Sequence, residues 1–223
     1  MTDHPFEPPF ARLPPTIPIF PLSGVLLLPR GRLPLNIFEP RYLAMTRDAL
    51  GEENRLIGMI QPTGKKTTDA GNRPPIYRTG CAGRIVNFSE SDDGRYQILL
   101  AGVARFDVIE ETDTARGYRR AVADWSRYKG DLDVDDDAGI ERAPLLTALR
   151  SYLKANDFKA DWRAIESAPS TQLVTTIAMV CPFSPSEKQA LLESPDVTGR
   201  ARILLALIEM SLAQRGGQEQ PHH

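Results

Sequence analysis

Apolar and polar residues divide the chain into a strand-forming first part and a helix-forming second part. Between residues 16 and 126, short runs rich in Val, Ile, Leu, Tyr and Phe are separated by Gly, Pro and Asp clusters, a pattern typical of β-strands joined by turns. Residues 91–94 (SDDG) predict a hairpin turn, and Gly102 predicts a bend between two strands. Strands are predicted at residues 17–22, 25–28, 33–37, 55–61, 78–89, 96–102, 105–110 and 118–125.

Helical signals appear once within this β-rich part and then dominate after residue 140. Pro40 stands where the first turn of a helix tolerates proline, and Leu43 and Leu50 follow on one face. Further along, Asp161 is placed to cap a short helix, and residues 184–187 (SPSE) form a capping box. The apolar positions that share later helix faces are Leu145, Leu149 and Leu153, then Leu173, Ile177 and Val180, and finally Val197, Leu204, Ile208 and Leu212.

These patterns predict an α+β protein made of five segments. Residues 1–15 are rich in proline and predict a flexible arm. The prolines at 18, 21, 29 and 34 cannot donate to a β-ladder, so the strands that contain them are predicted to be edges, short or bulged. After the arm come a β subdomain with one inserted helix (16–126), an acidic linker (127–140), an all-α helical bundle (141–212) and a disordered tail (213–223).

Charge and apolar content narrow the classes of partner. The 223 residues carry 27 Lys plus Arg against 29 Asp plus Glu, a formal net charge of -2. Nucleic-acid binding needs clustered cations, so nucleic acid is not an expected partner. The apolar runs are far shorter than the roughly 18 residues that cross a bilayer. No secretory signal is visible at the N terminus, so we expect a cytoplasmic protein without membrane contact.

The residue types that carry most enzyme chemistry are scarce or badly placed. The histidines, His4, His222 and His223, all fall in the predicted arm and tail. A catalytic or metal-binding His must be held by a rigid shell, so such sites are not expected. Cys81 and Cys181 are too few for a zinc site and are interpreted as small buried apolar residues. The chain is therefore predicted to be no enzyme and to need no cofactor or metal.

One stretch near the N terminus resembles a known protein family. Residues 17–22 (IPIFPL), 25–29 (VLLLP) and 33–42 (LPLNIFEPRY) resemble the opening of the N-terminal, substrate-binding domain of Lon proteases. Shorter pieces agree in order at 55–58 (RLIG), 77–85 (YRTGCAGRI) and 100–106 (LAGVARF), and the resemblance spans residues 16–212. It implies a PUA-like β pseudo-barrel followed by a helical bundle.

The resemblance also implies a role. Full-length Lon proteases continue into an ATPase and a Ser–Lys protease domain, and this sequence contains neither a Walker A motif nor a serine–lysine block. We therefore expect a stand-alone, non-catalytic module that binds unfolded or tagged polypeptides and passes them to a protease or chaperone. Docking to a specific folded partner, or self-association, is the alternative, and the oligomeric state is open. Arg105 and Phe106 are interpreted as a structural pair.

The segment that begins the first predicted helix has two interpretations. In the structural one, Pro40 starts the helix, Glu39 favours its positive end and Tyr42 packs under the barrel. In the functional one, which the resemblance implies, residues 36–41 form part of a peptide-contact surface, with Phe38 as an apolar contact and Arg41 as a partner for carboxylates. The candidate peptide-binding residues are Asn36, Phe38, Glu39, Arg41 and Tyr42.

Overall fold

The structure, a computed structural model, describes residues 10–64, 74–113, 116–133 and 139–218. Within these ranges the strands are β1 (Thr16–Pro21), β2 (Arg32–Ile37), β3 (Leu56–Ile60), β4 (Thr79–Glu90), β5 (Tyr96–Asp113) and β6 (Arg119–Asp124). The α-helices are α1 (Pro40–Gly51), α2 (Arg142–Ala155), α3 (Trp162–Ser167), α4 (Ser170–Val180), α5 (Pro185–Glu193) and α6 (Val197–Gln218). Short 3-10 helices occupy Phe10–Arg12 and Ser126–Leu132. The α+β prediction is confirmed.

The strands form one sheet that closes on itself and leaves β2 outside the ring. Their order is β2-β5-β4-β3-β1-β6, and a further pairing of β6 with the distal half of β5 closes the ring. The first half of β5 lies between β2 and β4. Within the part of the chain that the structure describes, β2 pairs with β5 alone, so its other edge is open.

Two apolar clusters hold the molecule together. The smaller cluster lies inside the barrel and includes Ile17, Ile19 and Phe106. The larger cluster is shared between the barrel and the helices, and it contains Leu100 from β5 together with Leu204 from α6. Because this second core draws on both halves of the chain, the helices and the barrel support each other's burial.

Local sequence signals account for the helix starts. The Ser184 side chain accepts a hydrogen bond from the Glu187 backbone N–H at 3.3 Å, and the Glu187 carboxylate accepts one from the Ser184 N–H at 2.7 Å. The Asp161 carboxylate accepts from the Arg163 and Ala164 N–H groups at the start of α3. These caps satisfy backbone donors that have no partner inside the helix.

The predicted break at Gly102 and the predicted strand at residues 25–28 are both wrong, for one reason. Strand β5 continues through Gly102 as a single strand, although its register with β4 shifts by one residue at Val103. A Cβ atom on Gly102 would stand 1.9 Å from the Leu28 carbonyl oxygen, so glycine is required because segment 25–28 crosses there. Leu28 and its neighbours Leu26 and Leu27 are buried, but the segment contributes side chains to the core without joining the ladder.

The arm, the linker and the tail also differ from prediction where the structure describes them. Residues 1–9 lie outside the described residues, but Pro14 accepts a hydrogen bond from the Trp125 indole N–H at 3.0 Å, which ties the end of the arm to the barrel. Residues 126–132, which overlap the predicted acidic linker, form a 3-10 helix in which Tyr128 is buried. Asp131 of this helix forms an ion pair with Arg105 of β5, which ties the helix to the barrel. Helix α6 continues to Gln218 and so includes the start of the predicted tail.

Candidate functional site

An exposed aromatic patch lies where β2 ends and α1 begins. The side chain of Phe38 is 61% exposed, an unusual position for an aromatic ring of this size. The Arg95 guanidinium carbon lies 5.9 Å from its ring centroid. On β4, Phe88 is 41% exposed and its ring meets that of Tyr96 edge-on at 5.0 Å. Along a strand successive side chains point to opposite faces, so the register places Phe88 on the face of Tyr96 and Ile37, and places Asn36 on the other face. Phe38, Arg95 and the adjacent exposed Asn36 are called the β2 patch below.

The three other predicted contact residues have partners within the molecule. The Tyr42 ring is buried against that of Phe20, with centroids 4.1 Å apart, and burial raises the pKa of the Tyr42 phenol. The Arg41 guanidinium forms a 2.8 Å ion pair with Glu39 and lies 4.6 Å from the Tyr42 ring centroid. Tyr42 therefore packs the start of α1 into the core, while Glu39 and Arg41 balance each other's charge at its rim.

The open edge of β2 carries a definite set of backbone groups. The Gly102 N–H donates to the Gly31 carbonyl at 2.8 Å, so this pair belongs to the hydrogen-bonded set of the antiparallel ladder. Every second residue from Gly31 then faces β5, and Arg32, Pro34 and Asn36 direct their backbone groups outward. Pro34 has no N–H to offer, so the edge presents the N–H groups of Arg32 and Asn36 and three carbonyls.

Sequence reasoning missed Arg95. Arg95 ends the turn at residues 91–94 and faces Phe38 across the β2–β5 pair. The only local signal is the hairpin turn at residues 91–94. Arg95 directly follows this turn, and the register of β5 with β2 then places Arg95 opposite Phe38.

A second feature is an open groove between the barrel and the helical part. Its volume is about 1,070 Å³, and its walls come from residues 24–34, the 3-10 helix at Ser126–Leu132, α4 and the beginning of α6. Apolar lining comes from Val25, Leu33, Met179, Val180 and Val197. The sequence does not predict this groove, because its lining residues extend from Gly24 to Arg200, 176 positions apart.

The floor of the groove contains a buried ion pair that joins the two halves. Arg105 is 3% exposed, and its Nη2 lies 2.7 Å from the Asp131 carboxylate. Its Nη1 donates to the Leu192 carbonyl at 2.9 Å and also to that of Ser194. Burial alone would lower the pKa of Arg105, but the hydrogen bonds and charge of Asp131 raise it above its ordinary value. Arg105 thus binds the barrel to the 3-10 helix and to the α5–α6 loop, consistent with a structural role.

Arg200 lies beside this pair. It is 5% exposed, and its Nε donates to the Leu191 carbonyl at 2.9 Å. Its Nη2 is buried and has no hydrogen-bond partner among the described residues. Burial, and then the neighbouring Arg105 cation, lower the pKa of Arg200 to about 10.

Nucleophile and metal chemistry find little support in the described ranges. Cys81 and Cys181 are buried, and burial raises the pKa of both thiols, to about 11 for Cys181. In the part of the chain that the structure describes, no three His, Cys, Asp or Glu side chains are grouped so that they could hold a metal ion. Among the same residues, no helix is long and apolar enough to cross a membrane.

The fold and the sequence match one protein family. The family model of the ATP-dependent protease La (LON) substrate-binding domain matches residues 16–210. The chain belongs to this family. The Lon resemblance of the N-terminal motif is thereby confirmed over most of the chain.

Individual Lon proteins share modest identity with the chain. Lon protease 2 of Sorangium cellulosum is 27% identical over 215 residues, which cover 92% of this chain and 26% of that protein. The Lon protease of Anaeromyxobacter dehalogenans is 28% identical over 214 residues, covering 88% of this chain and 23% of that protein. The chain therefore spans about a quarter of the length of these relatives.

Solved Lon N-terminal domains share the architecture. A Lon N-terminal domain protein from Xanthomonas campestris superposes with a TM-score of 0.59 at 26% identity, covering 86% of this chain and 97% of that one. The N-terminal domain of a Mycobacterium avium complex Lon protease gives a TM-score of 0.62 at 16% identity, with 87% and 98% covered, and supports the fold alone. The predicted pseudo-barrel followed by helices is the Lon N-domain arrangement.

Proposed function

We propose that this Lon N-domain protein is a non-catalytic module that binds extended, unfolded polypeptides at the β2 patch. The observation that carries the proposal is the exposed Phe38 ring directly beside an open strand edge. An extended chain pairs its backbone with the edge, and an apolar side chain of that chain packs on Phe38. Membership of a substrate-binding domain family agrees with this role.

The edge is built for weak and sequence-tolerant binding. Pro34 interrupts the row of outward donors, so a bound strand receives hydrogen bonds from the N–H groups of Arg32 and Asn36 only. The same interruption blunts the edge against pairing with a second copy of the chain. Backbone hydrogen bonds ignore sequence, whereas the Phe38 ring selects segments with an apolar side chain at the matching position.

The proposal is tested by fluorescence anisotropy with labelled, permanently unfolded polypeptides and folded controls. We expect Phe38→Ala to weaken binding about tenfold, because it removes the largest exposed apolar contact. Ile109→Ala is the matched control: Ile109 is 63% exposed, but it lies on the distal half of β5, which pairs with β6. Equal weakening by both variants would show that exposed apolar area in general, and not the β2 patch, binds the polypeptide.

The strand-pairing step has its own variant. The Asn36 N–H points away from β5, so Asn36→Pro removes an outward donor without breaking a ladder bond. We expect Asn36→Pro to weaken polypeptide binding at least threefold and Asn36→Ala to leave it nearly unchanged. If Asn36→Ala is as weak as Asn36→Pro, the side chain and not the backbone edge makes the contact.

Docking to a specific folded partner is the second candidate. It is favoured by exposed apolar side chains on the helical part, namely Phe158, Val180 and Met210, which lie outside the β2 patch. Affinity for one folded protein, lost in Val180→Ser but kept in Phe38→Ala, would favour it. Under either function, a cytoplasmic location and delivery to a protease or chaperone remain predictions.

A further inference from the structure

The floor of the groove holds more buried positive charge than the described residues neutralise. Arg105 occupies both oxygens of the Asp131 carboxylate, through its backbone N–H, Nε and Nη2 at 2.7 to 3.2 Å. Arg200 donates to one neutral carbonyl, and its guanidinium makes no ion pair with any described residue. Asp131 and Asp196 both act on the Arg200 charge through space, but neither forms an ion pair with its guanidinium, so among the described residues the Arg200 cation has no direct partner.

A buried, unpaired cation is costly, so its presence needs an explanation beyond packing. Burial of an ionised group without a partner destabilises the fold, and a methionine of similar length would fill the same space without this cost. The groove wall contains further cations in Arg30, Arg127 and Lys188. The lining as a whole has six Lys or Arg residues (30, 32, 105, 127, 188 and 200) against three Asp residues (131, 133 and 196), so it attracts an anion.

The amount of excess positive charge and the residues around it define the class of anion that the groove can bind. One unpaired guanidinium at the floor matches a ligand with a single negative charge, and its planar fork matches a carboxylate. The three Asp side chains disfavour a multiply charged group such as phosphate. The apolar wall formed by Leu33, Met179 and Val197 suits an apolar group beside the carboxylate.

We propose that this groove binds a carboxylate that carries an adjacent apolar group, with Arg200 as its charge partner at the floor. The proposal does not rest on polypeptide binding at the β2 patch, since its ligand needs no extended backbone, although Arg32 and Pro34 belong both to the groove lining and to the open edge of β2. A polypeptide C terminus, an Asp or Glu side chain and a free organic acid share the carboxylate chemistry, and the probes below separate these sources.

The test is an NMR titration of the full chain at constant ionic strength, observing the backbone amides of residues 197–200 and the Arg200 side-chain N–H. The probes are N-acetyl-leucine for a C terminus, acetyl-Leu-Glu-amide for a side chain, and isovalerate for a free organic acid. N-acetyl-leucinamide is the uncharged control, and inorganic phosphate tests the class of anion. We expect at least one carboxylate to shift these signals and the amide to bind at least tenfold more weakly.

Arg200→Met should weaken the carboxylate at least tenfold while keeping the fold, because it removes an unpaired buried charge. Arg150→Met is the control: Arg150 is exposed and pairs with Glu166 outside the groove. If Arg200→Met fails to fold, Arg127→Ala at the exposed groove wall should weaken binding at least twofold. The proposal is overturned if no carboxylate binds, or if phosphate or the amide binds as tightly as the carboxylates. It is also overturned if Arg200→Met binds the carboxylate like the unmodified protein. Where Arg200→Met does not fold, the same result for Arg127→Ala overturns it.

Discussion

Removing Asp131 tests the view that a buried ion pair joins the barrel to the helical part. The Asp131 side chain is 9% exposed and accepts four hydrogen bonds from Arg105. Asp131→Ala leaves Arg105 buried without a counter-charge, next to Arg200. Breaking one partner of a buried pair costs about 3–5 kcal/mol of unfolding free energy. For a domain of this size that lowers Tm by roughly 6–20 °C.

The assay is urea unfolding followed by tryptophan fluorescence, since Trp125 is buried in the barrel cluster. Glu166→Ala is the matched control, because Glu166 forms a largely exposed 3.2 Å pair with Arg150. Exposed pairs contribute about 0–1 kcal/mol, so this variant should unfold almost like the unmodified protein.

A second substitution tests whether unbalanced positive charge causes the loss of stability in Asp131→Ala. In the Asp131→Ala background, Arg200→Met removes one of the two unbalanced cations and should restore at least about 1 kcal/mol. A loss for Asp131→Ala no larger than for Glu166→Ala would refute the reasoning. So would a double variant whose change in unfolding free energy equals the sum of the changes measured for the two single variants, because additivity means that the two residues do not interact.

Three further predictions concern packing, capping and thiol reactivity. Gly102→Ala should prevent soluble expression, because its Cβ would stand 1.9 Å from the Leu28 carbonyl oxygen, whereas Gly51→Ala, with no atom within 4 Å, should express normally. Ser184→Ala should lower the unfolding free energy by about 0.5–2 kcal/mol in urea titrations, because α5 loses its cap. Since burial raises the pKa of the Cys181 thiol to about 11, labelling by iodoacetamide at pH 8 should require unfolding; rapid labelling of the native protein would contradict this.

Local signals in the sequence predicted local structure well. The capping box at residues 184–187 and Pro40 at the start of α1 satisfy or avoid orphan backbone donors within a few residues, so no tertiary information is needed to interpret them. The hairpin at 91–94 is of the same kind, with Gly94 at φ 78°.

Features that depend on distant partners were misjudged. The sequence places Asp131 in an acidic linker, because its partner, Arg105, is 26 positions away. The sequence predicts a bend at Gly102, because nothing nearby along the chain shows that Leu28 crosses over it. In each case the residue type was informative, but the atom that explains it belongs to another element.

The predicted contact segment contains both exposed and buried residues. The exposed Phe38 agrees with the expectation of an apolar contact, although its role in binding stays a prediction. Tyr42 is buried because its ring completes the packing of α1 on Phe20. Arg95 joins the β2 patch through strand register, which the sequence does not display.

Amide hydrogen exchange of the β2 edge, with and without a saturating unfolded polypeptide, tests the proposed binding mode most directly. The Asn36 N–H points away from β5, so we expect fast exchange in the free protein. If an extended polypeptide pairs with this edge, exchange at Asn36 should slow at least tenfold, while the amide of Ile109 should not change. Unchanged exchange at Asn36 under saturation would contradict strand pairing at β2 and place the polypeptide elsewhere on the molecule.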